Sequence, residues 1–201
     1  MLRVGLTGGL ATGKSYVGRL LAELGCPVLQ ADVVGHDLLK PGAAAYEPVV
    51  REFGAGVLAA DGSIDRRLLG AEVFGKPERL AVLNNLVHPL VVKHEEEWLK
   101  SVEAADPQAI AVVEAAILVE TGSYRRFEKL ILTVCPDEQQ VKRAMDRDGL
   151  SETEVRDRLK RQMPLDEKRK YADYVVDTSG SKENTAEQVR AVYRSLRSLV
   201  L

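Results

Sequence analysis

Residues 8–15 read Gly8-Gly9-Leu10-Ala11-Thr12-Gly13-Lys14-Ser15. The spacing is G-x-x-x-x-G-K-[ST], and the chemistry it serves is phosphate binding. Glycines at both ends let the backbone bend tightly and turn its N–H groups inward. With the amino end of the helix that follows, those groups cradle the phosphates of a nucleotide. Lys14 has the reach for the β and γ phosphates, and the Ser15 hydroxyl suits Mg²⁺. Moving a phosphoryl group asks for two more things: positive charge over the migrating group and an acid beside the acceptor. Asp32 is the leading acid. It lies just past a short apolar run, at the edge where open parallel sheets place ligands, and can accept a hydroxyl proton or hold a magnesium-bound water. Its alternative is to cap the helix that starts at Val33. Glu114 closes the apolar run Ile110-Ala111-Val112-Val113 and is placed like a Walker B acid; Glu120 follows six residues later. Arg143 and Arg147 are four apart and share a helix face, from which they can fold over phosphates. His88 before Pro89 reads as a hydrogen-bonding residue at a helix boundary or as part of the site. Arg66 reads as a surface charge or a phosphate partner.

These side chains need a frame. Leu2–Leu6, Pro27–Gln30, Ala109–Ala116, Lys129–Cys135 and Tyr174–Asp177 are short, nearly continuous apolar runs. Such runs suit parallel strands covered on both faces. Helical stretches separate them, so right-handed crossovers follow. The expected fold is α/β: three layers around a five-stranded parallel sheet. Val17, Leu20, Leu21 and Leu24 recur at helical spacing after the loop, and Gly25 ends that helix. About 75 residues separate the second and third runs, and they read as a helical insertion. There, Asp61-Gly62 marks a turn, Pro77 opens one helix and Pro89 opens another. A second insertion follows the fourth run. Asp137-x-x-Gln140 and Ser151-x-x-Glu154 are both capping-box patterns, so two helices start there. Residues 142–170 carry ten Lys/Arg and seven Asp/Glu; most of these belong to a solvated helical pair, and the pair can serve as a lid. The last helix begins near Asn184-x-x-Glu187. The chain therefore divides into a nucleotide-binding core (1–36, 106–139 and 171–201), a helical substrate-binding insertion (37–105) and a lid (140–170).

Composition narrows the function class. The formal charge is −2, without the basic excess that a nucleic-acid or acidic-membrane surface calls for. No apolar run reaches the length of a membrane helix. Cys26 and Cys135 form no metal-ligand pattern and read as reduced core thiols, as in a cytoplasmic protein. The amino end is a strand that runs straight into the loop, so a signal peptide is not expected. Asn-Lys-x-Asp and Leu-Ser-Gly-Gly-Gln are absent from the sequence, which disfavours a guanine-specific GTPase and a transporter ATPase. A small-molecule kinase fits best. The rivals are a kinase of another metabolite, such as a nucleoside or sugar, and a nucleotide-dependent binding module without turnover.

Further short motifs are spread along the chain: Gly5-Leu6-Thr7-Gly8-Gly9 running into Gly13-Lys14-Ser15, then Gln30-Ala31-Asp32, Phe53-Gly54, Asp61-Gly62-Ser63-Ile64-Asp65-Arg66, Val73-Phe74 and His88-Pro89. They continue through Ala116-Ile117-Leu118-Val119-Glu120, Gln140, Arg143, Arg147-Asp148-Gly149-Leu150-Ser151, Gln162 and Ala172-Asp173-Tyr174-Val175. In their order and spacing the chain resembles the dephospho-CoA kinase family nearly end to end. Gln30 stands where the family has Asp, Tyr16 where Thr is usual, Glu114 where Asp is usual, Ala116 where Pro is usual and Thr178 where Asn is common. The resemblance implies transfer of the ATP γ-phosphoryl to the ribose 3′-hydroxyl of dephospho-CoA, with Mg²⁺. It implies catalytic roles for Asp32, Lys14 and Arg147. Gly9, Ala11, Thr12, Gly13, Lys14, Ser15, Tyr16 and Arg143 would hold the nucleotide, and Ser15 the metal. Asp32, Arg66, His88 and Glu114 would face dephospho-CoA. No nucleic acid, membrane or obligatory protein partner is implied.

Overall fold

The computed structural model describes residues 1–200, which form two compact units. Residues 1–30 and 99–200 make the first, and residues 31–98 the second.

In chain order the elements are β1 (Leu2–Gly8), α1 (Lys14–Glu23), β2 (Val28–Gln30), α2 (Ala31–Asp37), α3 (Tyr46–Phe53), α4 (Arg66–Val73) and α5 (Pro77–Ala105). They continue with β3 (Ile110–Glu114), β4 (Lys129–Val134), α6 (Asp137–Asp148), α7 (Glu152–Lys160), α8 (Leu165–Arg169), β5 (Tyr174–Asp177) and α9 (Lys182–Arg197).

The first unit is built on a five-stranded sheet in the order β2-β3-β1-β4-β5. Every neighbouring pair is parallel, with Val4 opposite both Val112 and Lys129. All five residues of β3 are buried, the pattern of a strand covered on both faces. On one face Leu2, Val4, Leu6, Ile110, Val112 and Ile131 meet Val17 and Leu21 of α1 and Val189, Val192 and Leu196 of α9. Elsewhere in this unit Val141, Ala144 and Val155 join α6 to α7, with Leu10 and Ala11 of the loop packed against them. The expected three-layer α/β architecture is the one observed. Neither cysteine is in a disulfide. Burial pushes the Cys26 thiol up to about 11, as expected for core thiols.

The second unit has its own small core. Val49, Val57, Ile64 and Leu69 are buried together, with Leu83, Leu86 and Val87 of α5 packed on them. The Asp61-Gly62 turn forms as read, closed by Ala59 N–H donating to Ser63 O at 2.8 Å.

Several boundaries differ from those read in the sequence. Pro89 does not open a helix; it lies inside α5, which runs unbroken for 29 residues. Its ring removes the bond to the Asn85 carbonyl. Packing on both sides, through half-buried Leu83, Leu86 and Val87 before it and buried Val91 and Leu99 after it, holds the helix through the gap. The Ser151/Glu154 capping box is present. The Asp137/Gln140 box does not form: Pro136 takes the cap position, and the Gln140 amide donates to Asp137 instead. Helix α9 starts two residues early because Ser181 caps it, accepting from Asn184 N–H.

Candidate active site

Residues 9–13 follow β1 directly and lead into the first turn of α1. The loop holds backbone that L-residues seldom adopt: Ala11 has φ 54° and Gly13 has φ 86°. Strain of this kind persists where the surroundings over-determine it, and such places cluster at ligand sites. Thr12 is the anchor. Its buried hydroxyl pairs with the Thr133 hydroxyl at 2.7 Å and reaches the Gly9 carbonyl at 3.0 Å. Gly8 admits no side chain, for a Cβ there would sit 2.2 Å from Thr133 Oγ1. A Cβ on Gly9 would sit 2.6 Å from Gln140 Oε1.

Lys14 and Ser15 both direct their polar atoms to partners in the first unit. Lys14 Nζ donates to the Gly9 carbonyl at 2.8 Å, curling back over the loop. Ser15 Oγ donates to Glu114 Oε1 at 2.7 Å. Glu114 is buried, and its second oxygen accepts from Gln30 Nε2 at 3.2 Å. Mg²⁺ asks for few protein ligands and keeps several waters. A hydroxyl backed by one carboxylate, beside a phosphate cradle, fits that demand. Among the described residues no cluster of three or more His, Cys, Asp or Glu could form an all-protein cage.

The arginines of α6 part company. Arg143 donates to Thr178 Oγ1 at 3.1 Å and to Thr178 O at 2.7 Å. Thr178 Oγ1 in turn donates to the Thr12 carbonyl at 2.9 Å. Arg143 thus braces the loop through Thr178. Arg147 is exposed and pairs with its neighbour Asp148, Nε to Oδ1 at 2.7 Å and a second nitrogen to Oδ2 at 2.9 Å. That pairing holds the Asp148 carboxyl below the usual carboxylate range. Tyr16 turns its hydroxyl to the Lys182 carbonyl at 3.3 Å, so its side chain buttresses α9.

Asp32, Arg66 and His88 belong to the second unit. Asp32 is exposed, the second residue of α2, and therefore not a helix cap. Arg66 opens α4, fixed there by Asp65, which caps the helix by accepting from Arg67 and Leu68 N–H. His88 is half-buried within α5, one residue before Pro89. The sequence reading missed His36, one helical turn beyond Asp32. Burial and the nearby Arg66 guanidinium lower its pKa, while Asp32 pulls the other way. Asp32, His36 and Arg66 thus share one electrostatic neighbourhood; the Asp-x-x-x-His spacing on a helix was the available signal.

Lys168, Gln140 and Gln162 were also not singled out for the site. Gln140 is buried over Gly9, and its Oε1 has no hydrogen-bond partner among the described residues. Gln162 Oε1 accepts the Leu10 N–H of the loop at 2.8 Å. Both line an open cleft of about 660 Å³ with Gly9, Met163, Leu165 and Asp177. Lys168 is wholly buried and ion-paired with Glu120 at 2.7 Å.

Comparison with known proteins shows the family. The family model for dephospho-CoA kinase matches residues 2–184. The chain is 42% identical to a dephospho-CoA kinase of Carboxydothermus hydrogenoformans over 94% of its own length and 91% of that protein's. It is 42% identical to one of Aquifex aeolicus, covering 98% of each chain. Dephospho-CoA kinase from Campylobacter jejuni superimposes with a TM-score of 0.72 at 27% identity, covering 99% of this chain and 98% of that one. A phosphate loop backed by a serine–carboxylate pair on a five-stranded parallel sheet, matched over nearly the whole length by these kinases, makes the chain a member of the dephospho-CoA kinase family.

Proposed function

We propose that the chain transfers the γ-phosphoryl of ATP to the ribose 3′-hydroxyl of dephospho-CoA, giving ADP and CoA, the last step of coenzyme A biosynthesis. The observation that carries this reading is the strained loop with Lys14 curled over it and Ser15 held by Glu114. The family match names the acceptor.

The backbone N–H groups of Gly9 and of Ala11 to Ser15 grip the phosphates, and Lys14 stays with the charge that moves between β and γ oxygens. Ser15 would hold Mg²⁺ directly and Glu114 would hold its waters; the ion neutralises phosphate charge. Arg143 supports the loop from the nucleotide side. Arg147 leaves Asp148 to cover the transferring group. Asp32 accepts the 3′-hydroxyl proton, and its place two residues past Gln30, which itself touches Glu114, supports that role. Arg66 supplies positive charge and His88 a hydrogen-bonding group on the dephospho-CoA side. Among the described residues no helix is long and apolar enough to cross a membrane. Two buried cysteines outside any disulfide suit the reducing cytoplasm as its place of work.

The test offers purified protein ATP, Mg²⁺ and a panel of dephospho-CoA, nucleosides and sugars, with product identified by mass. CoA formation is expected. Turnover of another hydroxyl compound with none of dephospho-CoA would reverse the choice of acceptor. Asp32→Ala should lower kcat by about 10²–10⁴ while a nonhydrolysable ATP analogue binds as before. Wild-type turnover in that variant removes Asp32 from its role.

A further inference from the structure

Lys168 sits in the run Lys168-Arg169-Lys170, yet its side chain is 0% exposed. Burying an ammonium is costly unless each of its three donors finds an acceptor. Here all three do: Glu120 Oε1 at 2.7 Å, the Ala116 carbonyl at 2.9 Å and the Gly8 carbonyl at 3.2 Å.

Those acceptors form a circuit. Gly8 is the first glycine of the phosphate loop. Glu120 Oε1 also accepts the Met163 N–H at 3.3 Å. The preceding residue, Gln162, accepts the Leu10 N–H of the loop at 2.8 Å. The path thus runs from Gly8 through Lys168, Glu120, Met163 and Gln162 back to Leu10, and it brackets Gly9. Gly9 offers the carbonyl that holds Lys14 Nζ at 2.8 Å. Because Lys14 serves the β and γ phosphates, the circuit clamps the end of the loop where the terminal phosphate lies.

We propose that Lys168 is a positioning residue for phosphoryl transfer: tied to Glu120, it fixes the Gly8 carbonyl and thereby the place of Gly9 and of the Lys14 ammonium. This inference rests on the phosphotransferase function proposed above. Lys168 touches neither nucleotide nor acceptor and acts through the loop.

A purely structural role and a positioning role separate when both charges are removed. Replacing a buried ion pair by neutral groups of similar size is often tolerated, so Glu120→Gln/Lys168→Met should fold and melt close to wild type. Lys168→Met alone leaves the half-buried Glu120 carboxylate without its partner and is the less stable variant. The expected result in the double variant is ADP affinity within about threefold of wild type and kcat with dephospho-CoA lowered about 10–100-fold, the range for supports of a reacting group. A readout independent of the acceptor is the ratio of the ADP Kd to that of a nonhydrolysable ATP analogue. It should fall at least threefold, since the γ-phosphate loses its placed lysine. Wild-type protein inactive on dephospho-CoA refutes the acceptor and leaves the Kd ratio to judge the clamp. A folded double variant with kcat and Kd ratio of wild type overturns the proposal. So does an equal loss of ADP affinity and kcat, or a double variant that fails to fold, because each makes Lys168 a requirement of the fold alone.

Discussion

Ser15 Oγ donates to Glu114 Oε1 at 2.7 Å, and the pair joins the first turn of α1 to the carboxyl end of β3. Gln30 occupies the other Glu114 oxygen at 3.2 Å. The carboxylate is therefore held from both sides, one oxygen on the hydroxyl proposed above to hold Mg²⁺. Its extra methylene relative to Asp is accommodated by Gly18, where a Cβ would come within 3.0 Å of Glu114 Oε2.

Glu114→Gln keeps the shape and removes the charge that, in the function proposed above, would order metal-bound water. The free Mg²⁺ needed for half-maximal rate should rise about 10–100-fold. Titration of Mn²⁺ binding by electron paramagnetic resonance, with ADP present, should show the same loss without turnover. Unchanged metal dependence in both measurements takes Glu114 out of the metal's surroundings.

Gly8→Ala places a methyl 2.2 Å from Thr133 Oγ1, 2.5 Å from Thr12 Oγ1 and 2.9 Å from the Thr133 carbonyl. Both threonines are buried and bonded to each other, so the loop backbone must give way. Overpacking of this kind costs about 1–3 kcal/mol, visible as a lower Tm, and affinity for a nonhydrolysable ATP analogue should drop at least about tenfold through the loss of aligned N–H donors. Gly56→Ala is the control: a Cβ there meets nothing within 4 Å, so Tm should stay within the small range of neutral surface changes. Equal behaviour of the two variants would refute the steric account of the loop.

The loop was legible in sequence because its function is carried by backbone, and backbone of that kind demands glycines at set places. The strands were legible because burial on both faces leaves continuous apolar runs such as Ile110–Val113. Pro89 misled because its local rule, a helix start, was overridden by packing on both sides of it. Lys168 was hidden for a related reason. Within Lys168-Arg169-Lys170 a solvated charge is the ordinary expectation, and only the tertiary fold brings Gly8, Ala116 and Glu120 to it. Gln140 was read as a helix cap partner, a local role, whereas its side chain lies over Gly9. His36 carried a usable signal in its spacing from Asp32, but Arg66, which lowers its pKa, arrives from a distant segment.

Arg143 and Arg147 share a helix face and have different attachments, which separates their kinetics. Arg143 is bonded twice to Thr178, and Thr178 to the loop. Arg143→Ala should raise KM for ATP by about tenfold or more with a smaller change in kcat, as expected when binding is lost equally from ground and transition states. Arg147 pairs with its neighbour Asp148 at the surface, and such exposed pairs contribute little to stability. Arg147→Ala should leave Tm unchanged and lower kcat by about 10²–10³, the cost of one lost charge-stabilising donor. Arg147→Lys should recover only part of it, since the planar fork is lost. Steady-state kinetics on both variants decides, and identical KM and kcat patterns would refute the division of roles.

His36 gives the fold a pH dependence whose sign can be worked out. Its pKa in the folded chain lies below the ordinary value of 6.5, through burial first and Arg66 second, against the pull of Asp32 and Asp37. Below about pH 6.5 the unfolded chain therefore binds more protons at this residue than the folded one, and stability falls as pH falls. The loss begins near the unfolded value and levels off once the folded imidazole is also protonated. His36→Gln removes this component. Melting curves from about pH 7.5 to about pH 5 should show a shallower fall in Tm for the variant than for wild type, with the difference opening below about pH 6.5. Since Arg66 is one of the two causes, Arg66→Gln should also flatten the wild-type fall by raising the folded His36 pKa toward its ordinary value. Parallel Tm curves for wild type and His36→Gln would mean that the imidazole is not depressed, and that Arg66 does not bear on it.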